Sequence, residues 1–214
     1  MENTKSWVRA GLWLLPVYGV LTFLATLTHQ PDPQTEFESW SEYVTTDVFL
    51  ISHIFGSIFG TAVGILGLVA LTAYLAGTRR SGLAVAGFTL AVIGSVFVVA
   101  LFGIAAGAQP ALGNAFLAGN ATAEDLYNSV YSAPVFGIAG AGVLLFSLGF
   151  VLLGIAAAAV ETLPRWAAAG LALAGPLIGI AGFIIGQAQT LGSVLMVASG
   201  VGIALAVRRE LAVQ

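Results

Sequence analysis

The chain offers two imidazoles and no thiol: His29 and His53 are its only histidines, and cysteine is absent. Without cysteine there are no disulfides, thiolate zinc sites, iron–sulfur clusters or covalently attached c-type haem. Two histidines can still hold a b-type haem between ring nitrogens about 4 Å apart across the iron, or supply part of a metal site. Their spacing gives no H-x-x-x-H pair, so the ordinary roles come first: His29 reaching toward lipid headgroups and His53 hydrogen-bonding inside a bundle. No cofactor is expected on this reading, and haem b on His29 and His53 is the alternative.

A second pattern surrounds His53. His53, Ser57 and Thr61 recur at i, i+4 and i+8, so on a helix they form one polar stripe. Such hydroxyls can simply bond the carbonyls of the previous turn; the functional reading is the polar wall of an outward-open vestibule. Beside the stripe, Ser52, Gly56, Gly60 and Gly64 form a small-xxx-small face that lets another backbone approach closely, and Gly175 and Gly179 repeat the device later in the chain. Gln109, Tyr127, Tyr131, Gln187 and Gln189 fall at the ends of apolar segments, with Trp40 and Tyr43 in a nearby loop. They read as an interfacial aromatic and amide belt, or as the polar rim of a ligand pocket.

These residues are set in a chain of 214 residues that is 58% hydrophobic and only 8% charged, with a mean hydropathy of +0.99. Soluble domains carry about a quarter charged residues, so the fold class is all-α and polytopic: one domain of six transmembrane helices with the lipid bilayer as its first partner. The expected spans are 8–28, 48–77, 83–108, 131–160, 167–186 and 188–207, joined on the outside by loops 29–47 and 109–130. Each is a continuous apolar run, unlike the alternating strands of a barrel. The second span is about 45 Å long against about 30 Å of hydrocarbon, so it should tilt or protrude at its outer end. The pattern Thr122-Ala-Glu-Asp125 predicts a helix start near Ala123, running past Pro134 with a kink into the fourth span.

Charge divides the same way. Lys5, Arg9, Arg79, Arg80, Arg165, Arg208 and Arg209 all fall on one side of a six-span layout, which makes that side cytoplasmic, with both termini inside. The other side holds Asp32, Glu36, Glu38, Glu42, Asp47, Glu124 and Asp125 and no basic residue.

Absences narrow the function. Apart from Arg9 at the inner edge of the first, no carboxylate, lysine or arginine lies within an expected span, which argues against ion-coupled transport. Walker, Rossmann, H-E-x-x-H and G-x-S-x-G patterns are missing, the basic residues are too scattered for nucleic acid, and the inner loops are too short for a nucleotide. What remains is a non-catalytic protein of a bacterial or archaeal inner membrane. It would act as an accessory or binding subunit through its acidic outer face, as a homo-oligomer or beside another membrane subunit. A passive channel or carrier for a small solute, lined by His53, Ser57 and Thr61, is the alternative.

Overall fold

The computed structural model describes residues 2–28 and 30–213, and among them every regular element is helical. We label these α1 (Glu2–Gly11), α2 (Leu14–Ala25), α3 (Phe37–Val44), α4 (Asp47–Leu75), α5 (Ser81–Leu117), α6 (Ala123–Val130), α7 (Ala133–Ala158), α8 (Arg165–Ala181) and α9 (Gly186–Val213). Five segments among the described residues are long and apolar enough to cross a membrane: Lys5–Ala25, which joins α1 and α2, and then α4, α5, α7 and Gly186–Leu211 of α9. The apolar helix α8, Arg165–Ala181, is shorter than these.

Several boundaries differ from the sequence expectation, each for a local reason. The first span is broken after Gly11, because Pro16 has no amide to continue the ladder at the start of α2. α5 continues through Pro110 and the stretch expected to be loop, ending only at Leu117. There Gly119 adopts φ +85°, and the amides of Gly119 and Asn120 close back onto the carbonyls of Phe116 and Ala115, the pairing of a Schellman stop. Thr122 does not cap α6: its hydroxyl donates to Asn120 Oδ1 at 2.9 Å. Nor does that helix pass through Pro134. It stops at Val130, Ser132 is extended, and Pro134 sits in the first turn of a new helix, where a missing amide costs nothing. The turn between the last two helices spans 182–185, ahead of Gly186.

Six helices close into a ring in the order α2, α4, α5, α7, α8, α9, each packed on its two neighbours. Glycines let the backbones approach. A Cβ added at Gly64 would lie 2.9 Å from the ring of Tyr18, and Gly56 and Gly60 face Ala25 and Leu21, so α2 rests on the glycine face of α4. Gly94 meets the carbonyl of Gly142 between α5 and α7, Gly154 that of Ala168 between α7 and α8, and Gly192 the amide of Ile178 between α8 and α9. Gly200 against Pro16 closes the ring. Gly175 and Gly179 take Phe150 and Ser147 of α7.

Chain direction alternates around the ring, so the lysines and arginines gather at one end, the basic end, and the loops carrying seven carboxylates gather at the other. At the basic end Glu210 Oε2 accepts from Tyr74 at 2.6 Å and from Thr162 at 2.7 Å, tying α4 and the α7–α8 turn to α9. The acidic end is capped by α3 and α6. Its pillar is α5, about 55 Å long, which begins beside Arg79 and Arg80 and therefore projects at the cap. The third long helix thus joins the second, whose Phe49 enters the cap, whereas the fourth begins only at Ala133 and does not include α6. Gly113 of α5 lets α3 in, its Cβ position lying 2.9 Å from the Ser41 carbonyl. Two apolar cores result, a large one toward the basic end built on Leu12, Leu71, Phe150, Leu153 and Met196, and a smaller one in the cap built on Phe37, Trp40, Phe49 and Tyr127.

Candidate functional site

α4 begins at Asp47 behind Thr46, whose hydroxyl accepts from the Phe49 amide, an ordinary N-cap. Five residues on, the helix widens into a π-helical stretch over Ser52–Phe59. Ser57 reaches five residues back, to the Ser52 carbonyl, at 3.5 Å. α8 carries a second such stretch, Leu177–Ala181, directly after Pro176. π-Bulges are uncommon and occur often at functional sites, and both of these border the same space.

That space lies on the axis of the ring. A cavity of about 30 Å³ receives Tyr18 and Thr22 from α2, Ser57 and Thr61 from α4, and Ser95 from α5. Phe146 of α7, Ile178 of α8 and Gln189 of α9 complete it, so all six ring helices contribute. Its volume suits one or two waters. Toward the cap it adjoins a vestibule of about 430 Å³, and the two share Ser57, Phe102, Phe183 and Gln189 as a neck. The vestibule is bounded by Thr28, Gln30 and Tyr43 at the cap and by Ser52 and His53 of α4. Toward the basic end the cavity meets Tyr18, Phe146 and Ile178, which belong to the large core. The passage is blind.

His53 stands in the vestibule wall with its ring held. Nδ1 lies 3.0 Å from the Phe49 carbonyl, which can only accept, so in the neutral ring Nδ1 carries the proton and Nε2 is an acceptor. Phe49 lies against the imidazole at 4.0 Å, tilted by 37°, and Phe102 meets it edge-on at 5.8 Å across the α4–α5 seam. Among the described residues no three histidine, aspartate, glutamate or cysteine side chains converge as a metal site. The proposed partner of His53 in a haem pair, His29, lies outside the described residues.

The remaining candidates separate into two groups. Gln189 joins the stripe at the neck, whereas Gln187 is exposed at the start of α9. Gln109 is buried; it donates to the Tyr131 hydroxyl at 2.9 Å and accepts from Gln30 Nε2 at 3.0 Å, linking the cap loop to α5 and to the α6–α7 break. Tyr127 stacks on Tyr131 at 4.7 Å and meets Trp40 edge-on at 5.0 Å. These three residues make the interior of the cap and do not line the vestibule. Burial, then the neighbouring Tyr131 and Asp32, push the Tyr127 phenol up to about 12.

Comparison with protein-family models, with curated proteins and with solved structures finds no match for this chain. The site is therefore read from its own chemistry. Sequence reasoning passed over Thr22, Ser95, Phe102 and Phe183. The first two carried a usable signal, as isolated polar residues inside otherwise apolar spans; the two phenylalanines carried none.

Proposed function

We propose that this is a non-catalytic integral membrane protein that binds a small solute in the vestibule beneath its acidic cap. One observation carries the reading: polar side chains from four separate helices, α2, α4, α5 and α9, converge on the bundle axis, where α7 and α8 add apolar walls, in a space continuous with the cap and shut toward the other end. Polar groups inside a membrane bundle are costly to keep without a use, and a recess with a few convergent polar groups is the usual form of a ligand site.

In this reading α8 also crosses the membrane, as the fifth of six spans, and the basic end faces the cytoplasm by the positive-inside rule, with both termini on the inner side of a bacterial or archaeal inner membrane. The acidic cap faces outward, where a homo-oligomeric copy or another membrane subunit would meet it. The protein holds its solute rather than conducting it, because Tyr18, Phe146 and Ile178 close the floor.

Cysteine accessibility tests both parts. In an otherwise cysteine-free chain, Ser57→Cys and Ala118→Cys should react in intact cells with a small membrane-impermeant thiol reagent, and Ser81→Cys should react only after lysis. Labelling of Ser81→Cys from outside would invert the topology; failure to label Ser57→Cys while Ala118→Cys reacts would mean that the vestibule is not open to the outside.

A further inference from the structure

The vestibule and its neck are lined by hydroxyls, amides, one imidazole and aromatic faces, and the hydroxyl protons that α4 brings are already committed. Ser52 donates to the Phe49 carbonyl at 2.8 Å, Ser57 to that of Ser52 and Thr61 to that of Ser57. Lone pairs are what these hydroxyls have left to offer. The Gln30 amide donates to Gln109, which leaves its carbonyl oxygen free to accept, and His53 turns its Nε2 acceptor away from Phe49. Rings of Tyr43, Phe102 and Phe183 complete the wall, and no lysine or arginine stands at this end of the molecule.

Such a lining treats charge unequally. An anion would find no cation, only the Gln189 amide and the Thr28 and Tyr43 hydroxyls as donors, beneath a loop of carboxylates that repels it. A cation meets lone pairs and the negative faces of aromatic rings. Asp32, Glu36, Glu38 and Glu42 lie on the chain between the vestibule residues Gln30 and Tyr43, with Asp47 just beyond. Their summed field raises the local cation concentration at the mouth. No carboxylate lines the recess itself, and a bare inorganic ion needs six or more hard oxygens. A weakly hydrated, partly apolar cation does not.

From this we propose that the ligand of the vestibule is a small organic ammonium ion. It would be held by the Tyr43, Phe102 and Phe183 rings, with any N–H or O–H group donating to His53 Nε2 or to the Ser57 hydroxyl oxygen. The proposal rests on the reading of the vestibule as a binding site. The recess of about 430 Å³ accommodates an ion the size of choline with part of its hydration.

The test is calorimetric titration of the full-length protein in mild detergent with choline, with its uncharged carbon isostere 3,3-dimethylbutan-1-ol, and with acetate. Choline should bind saturably and at least about tenfold more tightly than the isostere, the equivalent of one desolvated cation–π contact. Acetate should give no heat of binding, and the choline affinity should fall as sodium chloride is raised. Glu38→Gln combined with Glu42→Gln, both exposed positions, should weaken choline at low salt and leave the isostere unaffected.

Equal binding of choline and the isostere would overturn the ammonium assignment. So would the absence of choline binding in a protein whose Ser57→Cys variant is labelled from outside, an outcome that leaves the vestibule reading standing. If Ser57→Cys is not labelled, the vestibule reading fails first.

Discussion

The ring of Tyr18 lies flat against the backbone of Gly64, where a Cβ would come within 2.9 Å of its Cγ and 3.1 Å of both flanking carbons. This contact joins α2 to α4 and sets the floor of the axial cavity. Gly64→Ala should force the ring to shift and cost about 1–3 kcal/mol, read as a lower thermal midpoint in detergent. Leucine at position 18 should relieve the clash, so that Gly64→Ala costs less in a Tyr18→Leu background. Additive losses would show that the two residues are not coupled.

Removing the floor should change what the protein does in a bilayer. Liposomes containing the wild-type chain should hold a choline gradient, and those containing Tyr18→Ala should lose it faster. Rapid loss through the wild type, abolished by Ser57→Leu, would instead make the protein a passive carrier lined by the α4 stripe.

Glycine has opposite roles at two positions of α5. A Cβ at Gly94 would run into the Phe146 amide nitrogen and come 2.6 Å from the Gly142 carbonyl, both backbone and unable to swing aside. Gly94→Ala should therefore destabilise by at least about 1–3 kcal/mol and reduce the yield of folded protein. Gly103 meets nothing within 4 Å, and Gly103→Ala should stabilise by about 0.5–1 kcal/mol through better helix propensity. Thermal midpoints of the two variants should fall on opposite sides of the wild type.

The cap depends on one buried amide. Gln109→Leu leaves the Tyr131 hydroxyl and the Gln30 side chain without their partner and should cost about 1–3 kcal/mol. Gln187→Leu, at an exposed position, should stay within about 0.5 kcal/mol of wild type. Similar effects in thermal melts would mean that the Gln30–Gln109–Tyr131 chain does not hold the cap.

Alkaline titration reads the cap interior separately. The Tyr127 phenol is raised from 10.0 to about 12 in the folded protein, so the folded form keeps a proton that the unfolded chain loses first. Stability from this group is complete below pH 10 and is lost as pH rises toward 12. In phenolate absorbance, the difference between wild type and Tyr127→Phe should titrate near pH 12. A component near pH 10 would show that the phenol is solvated.

The class of the protein was legible from local information. Apolar runs long enough to span a bilayer, separated loops of opposite charge, and glycines repeating every fourth residue on α4 are properties of short stretches of chain. Each acts on its own helix, because backbone satisfaction in lipid is a requirement placed on each segment separately. The stripe of His53, Ser57 and Thr61 was readable for the same reason. Where helices ended was less so: Pro110 and the polar residues after it suggest a loop, but α3 packs against that part of α5 through Gly113, and tertiary contact outweighs local propensity. Only the folded ring decided which residues share the axis. Thr22, Ser95, Phe102, Phe183 and Gln189 lie on four different segments, and what brings them to Ser57 is the order in which close-packed helices neighbour one another, which no single segment encodes. The same packing divided the amides and phenols that sequence reading had grouped as one rim, burying Gln109, Tyr127 and Tyr131 inside the cap and leaving Gln189 alone beside the stripe, because burial is a property of the assembled surface rather than of the chain.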